Sequence, residues 1–150
     1  MRAFVLILLS SVCASCRPDA ACKPVLQYGP QLEARLKIPE LASQTDDALG
    51  PTRALTPATA QRLMQEVKLL ATQLPASARD EDLNVLLRKL GTRRAALEQA
   101  LQDFLAIDPQ RLEQGLDSGA TMPVRRGVVM SRDALVSLVA TVRDLCEGRQ

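Results

Sequence analysis

Residues 77–108 read SARDEDLNVLLRKLGTRRAALEQALQDFLAID, and their periodicity decides the fold. Leu83, Leu87, Leu90, Leu97, Leu101 and Phe104 recur at alternating intervals of four and three, with one place left out. At 3.6 residues per turn that spacing draws one apolar stripe along a long helix, and the stripe needs other helices to cover it. The missing place belongs to Arg94, one turn after Gly91. The GTRR segment therefore either bends the helix or carries an arginine to the edge of a bundle. Ser77 and Asp80 have capping-box spacing, which predicts a helix start there. Asp80, Asp82 and Asn84 also share the spacing of the first calcium-loop ligands, but Val85 stands where that loop requires Gly. Acids in a first helical turn favour the macrodipole, and that is the simpler reading of Asp80, Glu81 and Asp82.

The flanking segments repeat the pattern. Thr56 and Pro57 form a cap and first-turn proline, and Ala60, Leu63, Met64, Val67, Leu70, Ala71 and Leu74 share a face before Pro75 ends the helix. Downstream, Asp108-Pro109 opens a short helix weakened by Gly115. Residues 118–130 then read as a loop, and Ser131 caps a last helix. In that helix Leu135, Leu138, Val139, Val142 and Cys146 fall on one face. Upstream, residues 17–29 look irregular. Gly29 and Pro30 open a short helix as far as Pro39, and residues 39–49 form a further short one before Gly50-Pro51. The expectation is an all-α fold, a small bundle of about four main helices with a shorter N-terminal helical segment.

Composition agrees and narrows the chemistry. The 150 residues suit one domain, 47% are apolar and only 2% aromatic, so helices are favoured over strands. The chain has no histidine, which removes the usual general base and the commonest metal ligand. A net charge of +2 without a long basic run gives no argument for a nucleic-acid partner. There is no Gly-x-Ser-x-Gly, no phosphate loop and no metal-ligand spacing. No catalytic residue, metal or cofactor is assigned, and the expected protein is not an enzyme.

The N-terminus addresses location. Met1-Arg2 precedes the apolar residues 3–9, AFVLILL, and the small or apolar SSVCAS, as in a secretory signal peptide. The apolar run is too short to span a bilayer, which takes about 20 residues. Cys13-Ala14-Ser15-Cys16 resembles the lipobox of bacterial lipoproteins, with Cys13 where Leu is usual. The resemblance covers about sixteen residues and implies that Cys16 is lipidated and begins the mature chain. It also implies that Arg17, rather than Asp, permits sorting to the outer membrane in a diderm bacterium. Ordinary signal peptidase, cutting after Ala14, is the rival route and leaves three cysteines. Under the lipoprotein route Cys13 is discarded and Cys16 modified, so Cys22 and Cys146 remain to pair. The organisation expected is a signal peptide over 1–15, a tether and lead-in over 16–29, and a helical domain over 30–150.

The leading functional expectation is a membrane-tethered exported lipoprotein in the cell envelope, acting through a protein partner as a binding or assembly-accessory module. The alternative is a soluble secreted or periplasmic protein that binds a small acidic or apolar ligand, and the third is an enzyme of unfamiliar type. Residues 122–130 of that loop, MPVRRGVVM, supply the candidate contact. Val124 and Val128 flank Arg125 and Arg126 there, and Arg93 and Arg94 form a second arginine pair. If the two pairs converge they make a basic, partly apolar patch for carboxylate or phosphate. If they do not, the valines tuck into the core and the arginines are solvated.

Overall fold

The computed structural model describes residues 19–37, 55–108, 112 and 118–148. Four helices account for most of them. α1 spans Cys22–Leu36, α2 Pro57–Gln73, α3 Glu81–Leu105 and α4 Ser118–Glu147. They pack in a ring of four seams, α1 on α2, α2 on α3, α3 on α4 and α4 back on α1. At one end meet the start of α1, the end of α2, the start of α3 and the end of α4. The Cys22–Cys146 disulfide ties two of these, and Asp19 ties α1 to the start of α3. The fold is an all-α, up-down-up-down bundle closed by a disulfide.

Each helix buries a stripe at intervals of three and four. In α1 the stripe is Cys22, Val25, Gly29, Leu32 and Leu36. In α3 it is the expected Leu83, Leu87, Leu90, Leu97, Leu101 and Phe104. In α4 it includes Val128, Arg132, Leu135, Val139, Val142 and Cys146. A period near 3.5 favours neighbours crossing at about 20°, with side chains of one helix seated between those of the next.

α2 begins as its sequence predicts. Thr56 accepts a bond from the Thr59 N–H at 3.1 Å and Pro57 takes the first helical place. Along its stripe Met64 is half-buried and Ala71 is exposed. α3 starts at Glu81 with Asp80 as its cap, the carboxylate accepting from the Leu83 N–H at 2.9 Å, so Ser77 is not the cap. The GTRR segment leaves α3 unbroken. Gly91 faces outward, and Arg94 is half-buried against its i+4 partner Glu98 at 3.2 Å.

Two expected boundaries move. The lead-in expected over 16–29 is helical from Cys22, and α1 runs through Gly29-Pro30 without a new start. Pro30 forfeits one backbone bond inside the helix, a cost that the buried stripe and the disulfide offset. Gly29 is a packing position rather than a cap, since a Cβ there would lie 4.0 Å from the Arg143 Cβ. The loop expected over 118–130 is the first half of α4, and Ser131 is interior to that helix. Burial of Val128 and Val129 overrides the low helical preference of a β-branched run, and Pro123, past the first turn, forfeits one backbone bond as Pro30 does in α1. The short helices expected over 39–49 and most of 108–117 lie outside the described residues, as do the signal peptide and Cys16. Near Asp108 the Leu112 N–H reaches the Asp108 carbonyl at 3.3 Å.

Candidate functional site

On α3 the face turned away from the leucine stripe carries Val85, Arg88, Lys89, Thr92 and Arg93, at i, i+3, i+4, i+7 and i+8. Across from it α4 presents Ala134, Ser137, Leu138 and Thr141. The two rows enclose an open groove of about 810 Å³ along the α3/α4 seam. One wall is cationic and the other is built mostly from small side chains. Val85 is 44% exposed and Leu138 half-buried, so the groove also holds apolar surface. Thr92 Oγ1 donates to the Arg88 carbonyl at 3.2 Å and Thr141 Oγ1 to the Ser137 carbonyl at 2.9 Å. Their hydroxyl protons are thereby occupied within their own helices.

Among the described residues no carboxylate lines this groove, and none pairs with Arg88, Lys89 or Arg93. Three neighbouring cations without a countercharge among the described residues make a surface suited to carboxylates, with apolar floor between them.

The two arginine pairs do not converge. Arg93 stands in the groove, but Arg94 points into the α2/α3 seam beside Leu70 and Leu74. Adjacent residues on a helix point about 100° apart, so a doublet rarely serves one face. Arg125 lies at the other end of the bundle, where its Nη1 donates to the Leu55 carbonyl at 3.2 Å and its guanidinium sits 5.6 Å from the centre of the Phe104 ring. Phe104 is eleven residues along α3 from Arg93, roughly 16 Å. Arg126 is exposed, Val124 is half-buried against the core and Val128 is fully buried. Of the two pairs, only Arg93 lines the basic groove.

Arg88 and Lys89 are the groove residues that sequence reasoning missed. Their signal was the i, i+3, i+4, i+7, i+8 recurrence from Val85, the polar complement of the leucine stripe. Arg132 was missed as well. It occupies a core-facing place on α4, is 6% exposed, and its Nε and Nη2 donate to Asp133 Oδ1 at 2.9 and 2.6 Å.

The disulfide end is held by polar groups too. Cys22 and Cys146 have Cα atoms 5.3 Å apart, and both are buried. Asp19 accepts the N–H groups of Ala21 at 2.9 Å and of Arg79 and Asp80 at 2.8 Å each. Those backbone donors, Ala21 first, hold its carboxyl below the usual range. Glu33 is lowered chiefly by the hydrogen bond from Lys37 at 2.6 Å, and Arg143 adds to it at 2.7 Å across the α1/α4 seam. Among the described residues no group of three or more metal-ligating side chains comes together, and no helix is long and apolar enough to cross a membrane.

The fold and the groove define a class, a disulfide-closed helical bundle with a basic surface groove. Comparison with known proteins adds no relative, since no family model, curated protein or solved structure matches the chain.

Proposed function

We propose that this chain is an exported lipoprotein of the cell envelope, tethered through Cys16, whose helical bundle is a binding module for a protein partner. The observation that carries the reading is the Cys22–Cys146 disulfide. It is the kind of bond that oxidising compartments allow. It also consumes both cysteines of the bundle and leaves Cys16 for the lipid once the signal segment is removed. The basic α3/α4 groove supplies the contact surface. The partner contributes carboxylates, and no chemistry on a bound substrate is required.

The intact mass of the detergent-extracted protein, with and without reduction, tests this reading. The expected species begins at Cys16, carries acyl chains, and gains two hydrogens on reduction. Carbonate washing should leave it in the membrane fraction, and Cys16→Ser should release it. An unlipidated mass beginning at Ser15 or later overturns the tether. It would favour the soluble alternative, for which the groove volume of about 810 Å³ falls in the range of small-ligand sites.

A further inference from the structure

The α3/α4 groove has a shape as well as a charge. Its α3 wall runs from Val85 to Arg93, eight residues or about 12 Å, and its α4 wall from Ala134 to Thr141 is of similar length. That is about two turns of a helix. The α4 wall offers Ala134 and Ser137, small enough to let another backbone approach. The α3 wall offers three long cations without partners among the described residues, placed to meet the flank of whatever lies against α4. Val85 and Leu138 give apolar purchase between the walls.

We propose that this groove receives an acidic amphipathic helix of the partner protein, about two turns long, with apolar residues at i, i+3 or i+4, and i+7 on the floor and carboxylates toward Arg88, Lys89 and Arg93. This is helix-in-groove recognition, in which an apolar stripe sets the register and charge sets the orientation. The inference rests on the groove being the binding surface of a tethered module. Under that reading only Arg17 and Pro18 separate Cys16 from Asp19, a reach of at most roughly 10 Å. The bundle end that carries Asp19, Asp80, Glu81 and Asp82 then faces the bilayer. Those acids are interspersed with the exposed Lys23 and Arg79, so this end presents no cationic face to an anionic membrane, while the groove lies along the side of the bundle. The geometry therefore favours a protein helix over lipid headgroups as the occupant.

The test uses the mature chain in the form its mass defines, in a neutral detergent. The probe is a fluorescein-labelled peptide of about four turns, with Leu at i, i+4, i+7 and i+11 and Glu elsewhere on its flanks, and with a side-chain staple on its outer face because a free helix of that length is marginal in water. A scrambled peptide of the same composition is the control. The expected result is salt-sensitive binding by fluorescence anisotropy, with amide-exchange protection confined to residues 85–93 and 134–141. Arg88→Glu with Arg93→Glu should weaken it by about tenfold or more, since like charges then face the carboxylates. Both positions are exposed, so the fold survives the change. Ser137→Tyr should weaken binding by filling the groove while leaving every cation in place.

Equal binding of the scrambled peptide overturns the proposal, because the site is then a general polyanion patch. The same protection pattern from phosphatidylglycerol vesicles overturns it in favour of a lipid. No binding at millimolar peptide overturns it outright. None of these outcomes alters the mass and fractionation result, so loss of the tether and loss of this occupant are separate findings.

Discussion

The Asp19 carboxylate joins two helix starts that lie sixty residues apart in sequence. Its three backbone donors favour the charged form, so its folded pKa lies below the ordinary value of 3.8. A depressed carboxylate pKa contributes stability that is present above the unfolded pKa and lost as pH falls through the folded one. Asp19→Asn should therefore lower Tm at neutral pH. The gap between the two proteins should shrink as pH falls below the ordinary value of 3.8 and close only below the folded pKa, where the native carboxylate is protonated as well. Thermal melts at several pH values check this, and a gap that shows no dependence on pH would assign the loss to packing instead. The charge of Asp80 opposes the lowering of Asp19. Sequence reading cannot find such a clamp, because nothing local to Asp19 names Arg79 and Asp80 as its donors. It finds Thr56 and Cys146 easily, since a cap and a helix face are decided within a few residues. Phe104 belongs with those. It is fully buried at the end of its stripe, and Phe104→Ala should cost about 3–5 kcal/mol in chemical denaturation.

α3 was legible nearly to its ends because its apolar repeat extends over six places and no proline interrupts it. α1 and α4 were not, and the reason is the same in both. Gly29-Pro30 and Pro123 are local breakers, and the valines near 128 are weak helix formers, so the local signal says stop. Burial of Leu32 and Val25 in one helix and of Val128 in the other outweighs it. The groove was half legible at this scale. The polar face of α3 can be read from spacing alone, but its facing row on α4 falls in no motif. Gly91 gives the element a direct test. It is exposed, mid-helix, and a Cβ there meets nothing within 4 Å. Gly91→Ala should stabilise the protein by about 0.5–1 kcal/mol, seen as a higher denaturation midpoint with an unchanged slope. A destabilised variant would mean that the glycine relieves a bend in α3.

For the whole molecule, the repeat of one apolar stripe per helix announces a bundle but not which helices are neighbours. Four stripes can be ringed in more than one order, and the polar faces that abut to form a groove depend on that order. The disulfide removes part of the ambiguity, because joining Cys22 to Cys146 places the start of α1 against the end of α4. It closes a sequence separation of 124 residues, and on the chain-entropy model such a loop contributes about 5 kcal/mol, with engineered examples often giving less. Cys22→Ala and Cys146→Ala should each lower Tm by on the order of 15 °C, and the double variant should match the single ones. Additive losses would show that the two thiols contribute as separate core groups. The location of the bond makes a second outcome separable from the first. The disulfide spans the α1/α4 seam, whereas the groove is built on α3 and α4, which share the most extensive seam of the ring. Reduction should loosen α1 and raise its amide exchange, yet leave the acidic peptide's Kd within about twofold of the oxidised value, since no groove residue lies on α1. If reduction abolishes peptide binding at a temperature where α3 stays protected, then α1 holds the groove open, and stability and binding are coupled through the disulfide rather than carried by separate halves of the bundle.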